Sequence, residues 1–207
     1  MVKNLITPGQ SLRRIMSKEV AQTYIFLGDD SFFHDMVIDG ITKVFLSEEG
    51  EKINLILGVD NENNLVNHLS MSSLFSQKSV IVVRNPKKIS ANFQSEIMEY
   101  FKSPLIDKVL IFIYNDPYIS TKFFSSISSF STCVDMRTPF PNKMKEWISY
   151  YLKKNKINLP NKYLDNLIDN YGDKTDNVIN EINKLNIFSD GNFEDSAHAL
   201  NPNINKK

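Results

Sequence analysis

The residues best placed to do chemistry follow the first apolar run, in the stretch GDDSFFHD from Gly28 to Asp35. In an open parallel sheet, the loop after the first strand is where ligands usually bind. A phosphate cradle at that place needs the pattern GxxxxGK(S/T), whose amides and lysine reach the phosphates. Only the first glycine is present here. No lysine follows, Asp29 and Asp30 would repel an anion, and Phe32 and Phe33 fill the space that backbone amides would need. The acidic pair supports a different chemistry. Hard cations take oxygen ligands, so Asp29 and Asp30 could hold Mg²⁺ for phosphotransfer, as in a receiver-like domain. That chemistry also needs an acidic acceptor at the end of another strand, and the third strand ends instead in Arg84-Asn85. The competing role for the pair is helix capping and compensation of the helix dipole. His34, His68 and His198 show no HxxxH or HExxH spacing, so zinc catalysis has no support. Cys133 is the single cysteine and sits in an apolar, strand-like context, which reads as a buried structural thiol. No GxSxG elbow occurs. The expectation is a chain with no catalytic residue, no cofactor and no metal.

Two further sets could bind rather than react. The stretch MSSLFSQKSVIVVRN, Met71 to Asn85, ends a helical pattern and runs directly into an apolar strand. In the preceding helix Leu65, Val66 and Leu69 form a stripe that would face a core. On the same wheel Met71, Leu74 and Phe75 fall on the opposite side. If the helix continues to about Phe75, these apolar residues point outward as a docking tip flanked by serines. If it ends early, Leu74 and Phe75 turn into the core. The second set is basic. Lys143, Lys145, Lys153, Lys154, Lys156 and Lys162 are opposed nearby only by Glu146 and Asp165. They could brush a DNA backbone or form a solvated face, and the segment holds no arginine to make bidentate phosphate contacts.

The elements that must position these groups alternate between strand and helix patterns. Strands are expected at Thr23–Leu27, Ile53–Leu57, Val80–Val83, Val109–Tyr114 and Thr132–Asp135. Helical spacing covers Ser31 to Phe45, the segment through Leu69 with Asp60 as a candidate cap, Ile97 to Phe101, and a short segment opened by Ser120 or Thr121. Continuous apolar strands with helical connections indicate a parallel sheet covered on both faces. The character changes at Thr138-Pro139-Phe140-Pro141, a plausible linker. Beyond it only helices are read: Met144 to Leu152, Tyr163 to Tyr171 closed by Gly172, a third opened by Thr175 or Asp176, and a fourth near Glu194. The expected domains are 1–139, α/β, and 140–207, all helical.

Lysine plus arginine equals aspartate plus glutamate at 24 each, so no global basic field favours autonomous nucleic-acid binding. No run approaches the ~18 apolar residues of a membrane span. The N-terminus lacks the continuous apolar region of a secretory signal. One cysteine fits a reducing compartment. A soluble, cytoplasmic protein is expected.

The order of these blocks resembles the delta subunit of the bacterial DNA polymerase III clamp loader. YIFLGDDSFFHDMVID resembles that family's opening strand, glycine-acidic turn and helix. MSSLFSQKSVIVVRN is similar to its clamp-binding element and the strand behind it. Pro139-Phe140-Pro141 with Trp147-Ile148 resembles the entry to its second domain, and YGDKTDNVINEINKL is similar to a helix within that domain. The resemblance implies an AAA+-like first domain without a working ATP site, followed by a small helical lid. It implies that Leu74 and Phe75, with Met71 beside them, insert into a pocket of the ring-shaped sliding clamp, the beta subunit. It further implies a non-catalytic part of a DNA-directed DNA polymerase (nucleotidyltransferase) holoenzyme that helps open the ring in DNA replication. Its partners would be the clamp and other loader subunits, with DNA contacted weakly or indirectly, through Lys143, Lys145, Lys153 and Lys154 if at all. The family's third, helical collar domain has no counterpart in these 207 residues.

Overall fold

A computed structural model describes residues 5–46, 50–70 and 78–188. The chain divides into two compact units, Met1–Arg137 and Thr138–Lys207. In the first, the elements run β1 (Leu5–Ile6), α1 (Pro8–Met16), β2 (Thr23–Leu27), α2 (Ser31–Phe45), β3 (Glu51–Ile56), α3 (Glu62–Ser70), β4 (Ser79–Arg84), a 3-10 turn at Pro86–Lys88, α4 (Ala91–Lys102), β5 (Lys108–Tyr114), α5 (Lys122–Ser128) and β6 (Thr132–Asp135). The strands form one sheet in the order β1-β6-β2-β5-β4-β3, and each of these neighbouring pairs is parallel.

Burial explains this order. Every residue of β2 and β5, and all of β4 except Arg84, is buried. Such strands can only lie inside a sheet with both faces covered. β3 is different: it lies at the edge, only Leu55 is fully buried, and Ile56 remains 42% exposed. Its reading as a continuously apolar strand therefore holds for position but not for environment.

The pleat sorts the side chains by parity. Ile25, Leu27, Ile81, Val83, Leu110, Phe112 and Tyr114 join Leu65, Leu69, Ile97, Phe101, Phe124 and Ile127 in one cluster beneath α3, α4 and α5. Phe112 is its hub, with ring centroids 5.3 Å from Phe101 and 6.3 Å from Phe124. On the opposite face Phe26 stacks on His34 of α2, with centroids 5.9 Å apart.

The sequence reading missed β1 and α1, although a local signal marks the helix. Thr7 accepts from the Gln10 amide at 3.2 Å, while Gln10 Oε1 accepts from the Thr7 amide at 2.8 Å. This is a capping box followed by proline at the first helical position. A two-residue strand has no periodicity to detect, and Leu5–Ile6 becomes a strand only by pairing with Cys133 and Val134.

The second unit contains α6 (Pro141–Asn155), α7 (Asn161–Tyr171) and α8 (Thr175–Phe188). Met144, Ile148 and Leu152 of α6, Leu164, Leu167 and Ile168 of α7, and Val178, Ile179, Ile182 and Leu185 of α8 supply its core. Tyr151 Oη donates to Asn183 Oδ1 at 2.9 Å, tying α6 to α8. The helix expected near Glu194 lies outside the described residues. Among the described residues no helix is long and apolar enough to cross a membrane.

Candidate functional site

The turn between β2 and α2 sits where a parallel sheet would place a phosphate, and its backbone is already engaged. Gly28 adopts φ +120°, a conformation that favours glycine. Its N–H donates to the Tyr114 carbonyl at 3.2 Å, and the Asp30 N–H donates to the Met136 carbonyl at 3.0 Å. The Met136 N–H returns a bond to the Leu27 carbonyl at 2.7 Å. A phosphate cradle depends on amides free to converge on an anion, and here two of them are bonded to β5 and to the exit of β6. A Cβ on Gly28 would lie 2.4 Å from the Met136 carbonyl carbon. The glycine thus permits close backbone approach rather than anion entry.

His34 completes the closure. It is 3% exposed, and its Nε2 lies 3.0 Å from the Gly28 carbonyl. Burial holds its pKa below the ordinary imidazole value, with the Gly28 carbonyl pulling weakly the other way. Asp30 is fully buried, with extended backbone (φ −78°, ψ 104°) at the N-cap of α2, whereas Asp29 is exposed. Among the described residues no group of three or more His, Cys, Asp or Glu could hold a metal ion. The phosphotransfer reading of Asp29 and Asp30 therefore finds no ligand set there.

Met71, Leu74 and Phe75, the expected docking tip, lie outside the described residues. Their flanks are described. α3 is described through Ser70 and β4 begins at Ser79. Leu65 and Leu69 are buried and Val66 is half-buried, so the inward stripe is as read. The cap is not. The Asp60 carboxylate accepts from the Ile56 amide at 2.6 Å and closes the turn after β3. Asn61 Oδ1 instead accepts from the Asn63 amide at 2.9 Å at the start of α3. Between α3 and α4 a groove of about 340 Å³ is lined by Val66, Leu69, Ile97, Tyr100 and Leu105.

The four lysines expected near DNA all lie on α6. Lys143 pairs with Glu146 at 2.9 Å and Lys145 with Asp165 at 2.5 Å. Lys153 and Lys154 are exposed in the last turn of α6, where cations suit the helix dipole. Ten residues of helix, about 15 Å, separate Lys143 from Lys153. Cys133 is fully buried, and burial pushes its thiol up to about 12.

Comparison with solved structures places this geometry among known folds. The chain is similar to the Bacillus subtilis DNA clamp loader delta protein (YqeN), with 14% identity and TM-score 0.67 over 94% of this chain and 62% of that one. It is similar to domain III of the Thermotoga maritima replication initiation protein DnaA, with 12% identity and TM-score 0.59 over 93% and 89%. It is also similar to a Thermotoga maritima RuvB variant, with 12% identity and TM-score 0.52 over 88% and 68%. These likenesses establish an AAA+-like α/β fold with a helical segment after it. The chain spans less than two thirds of the length of the Bacillus subtilis protein. No curated protein matches it significantly. A family model for the delta subunit of DNA polymerase III matches residues 24–134. With more than half of its length so matched, the chain belongs to the DNA polymerase III delta subunit family.

Proposed function

We propose that this chain is a non-catalytic clamp-loader subunit in DNA replication. It docks on the ring-shaped sliding clamp through Met71, Leu74 and Phe75 and helps to open the ring. Residues 1–139 form the clamp-binding domain and 140–207 the helical lid. Other loader subunits supply nucleotide chemistry, and Lys143, Lys145, Lys153 and Lys154 offer a weak contact to DNA. The observation that carries this reading is the family match over residues 24–134, a stretch that includes the whole Met-Ser-Ser-Leu-Phe segment. The engaged amides of Gly28 and Asp30 support it independently, because they argue for a scaffold rather than an ATP site.

The test is clamp binding by the full chain on immobilised sliding clamp from the same genome, with and without ATP. A leucine or phenylalanine buried in a partner pocket is worth about 1.5–3 kcal/mol, and such anchors dominate interfaces. Leu74→Ala with Phe75→Ala should weaken binding at least about 100-fold, since each 1.4 kcal/mol is about tenfold, and ATP should change nothing. Equal affinity for parent and variant would overturn the reading.

A further inference from the structure

A cavity of about 250 Å³ lies between α1, the connection from α1 to β2, and the first residues of β2 and β6. It sits at the start of β2, whereas the Gly28 turn follows the other end of that strand. Its walls combine apolar Ile6 and Val20 with the polar side chains of Ser11, Arg14, Glu19 and Tyr24. A few polar groups set among apolar ones is the composition of a small-molecule site.

The way α1 ends brings two opposite charges to this cavity. Lys18 adopts the left-handed conformation at φ +65°. Its N–H donates to the Ile15 carbonyl, and the Glu19 N–H donates back to the Arg14 carbonyl, both at 2.9 Å. This is a Schellman ending. It turns the chain so that Glu19 and Val20 line the same cavity as Arg14. Arg14 and Glu19 are exposed, and among the described residues neither forms an ion pair. The Ala21 N–H then donates to Tyr24 Oη at 2.9 Å. With its oxygen used as an acceptor there, the Tyr24 hydroxyl keeps its own proton to donate. Burial raises its pKa, against the pull of the Ala21 amide and Arg14, so that proton stays in place.

Ser11 is the residue the fold does not explain. It is 1% exposed, and among the described residues its hydroxyl has no hydrogen-bond partner. A buried hydroxyl left unpaired is destabilising, and alanine would serve the helix better. Its place in the cavity wall gives the hydroxyl a use.

We propose that this cavity binds a small zwitterion of the α-amino acid type with an apolar side chain. The carboxylate takes donors from Arg14 and from the Tyr24 and Ser11 hydroxyls, since guanidinium and hydroxyl groups suit carboxylate oxygens. The ammonium lies against Glu19, and the side chain rests on Ile6 and Val20. A simple anion would be repelled by Glu19 and a simple cation by Arg14. A molecule carrying both charges meets neither penalty. This site is independent of the clamp-docking reading.

The experiment is titration of the full chain with L-leucine, followed by backbone amide chemical shifts and by Tm. Leucine should saturate with a Kd of about 1 mM or tighter. It should move the Ser11, Glu19 and Ala21 amides and raise Tm by mass action. Two analogues remove one charge each: 4-methylpentanoate lacks the ammonium and leucinamide lacks the carboxylate. Each should bind at least about 10-fold more weakly, the worth of one charged hydrogen bond. Glu19→Gln should erase the advantage of leucine over 4-methylpentanoate, and Arg14→Met its advantage over leucinamide. Ser11→Ala should weaken leucine about 10-fold while its ligand-free Tm equals or exceeds that of the parent. A Ser11→Ala variant that melts lower would show that the hydroxyl serves the fold, and would overturn the site. So would the lack of a saturable shift up to about 20 mM leucine, well above the expected Kd. Equal binding of leucine and either analogue would overturn recognition of a zwitterion.

Discussion

Gly28→Ala separates a glycine needed for backbone packing from one needed for a phosphate. The substitution adds one methyl group at φ +120°, with backbone atoms of Met136 and Arg137 at 2.4–2.6 Å. No rotamer change relieves this, because the neighbours are main chain. Conformational strain at such a position costs about 1–3 kcal/mol. Restoring ordinary contact at about 3.5–4.0 Å requires the exit of β6 to move by roughly 1 Å. That movement breaks the Asp30–Met136 and Met136–Leu27 bonds, now 3.0 and 2.7 Å. An unmade buried hydrogen bond costs about 1–3 kcal/mol, so two of them and the strain together cost about 3–9 kcal/mol. For a chain of this size that lowers Tm by roughly 6–36 °C. Gly58→Ala is the control. It has φ +94°, but the nearest atom to its Cβ would be Lys88 Cγ at 3.6 Å, so only the strain applies. Thermal unfolding of both variants beside the parent measures the difference. Equal shifts for the two glycines, or a Gly28→Ala shift under about 3 °C, would refute packing as the reason for Gly28.

Two buried titratable groups give further tests. Burial lowers the His34 pKa in the fold, reinforced by Arg84 and opposed by the Gly28 carbonyl, Asp30 and Asp35. Below the unfolded value of about 6.5 the unfolded chain then binds more protons, so stability should fall as pH drops through that range. Tm measured at pH 7.5 and 5.5 should fall more steeply for the parent than for His34→Leu, and identical slopes would contradict the assignment. Cys133, with its thiol pushed up to about 12 and no exposed surface, should resist a thiol reagent at pH 8 and react after denaturation. Rapid stoichiometric labelling of the native chain would show that β6 is open.

What could be read from the residues divides along the reach of the interactions. α2 runs from Ser31 to Phe45 and β6 from Thr132 to Asp135, as expected, because apolar period and flanking turn residues are local signals. Thr121 opens α5 by accepting from the Phe124 amide at 3.3 Å, again a local rule. β1 was missed because a dipeptide becomes a strand only through its partner. Asp60 was misassigned because two adjacent side chains, Asp60 and Asn61, both offer an oxygen near α3, and the backward bond to Ile56 claims one of them. The absence of a phosphate-binding lysine was plain from the sequence. That the amides of Gly28 and Asp30 are already engaged was not, because their acceptors, Tyr114 and Met136, come from strand ends far along the chain. The hydrogen bond from Lys108 to the His68 carbonyl is hidden for the same reason, since 40 residues separate the two.

Two sets of bonds lie at opposite ends of the same strands. At the C-terminal ends, the Gly28 and Asp30 amides tie the turn after β2 to β5 and to the exit of β6. At the N-terminal ends, Lys108 and Asp107 join β5 to α3 and β4. β5 lies between β2 and β4 and takes part in both. A partner's ring is biased toward its open form only by a difference in affinity between open and closed states. A docking tip on a compliant base would adjust to either form and lose that difference. In the proposed reading, both sets of bonds stiffen β5, which lies inside the sheet of the clamp-binding domain. A rigid clamp-binding sheet and a turn whose amides are already engaged are then two consequences of the same hydrogen bonds.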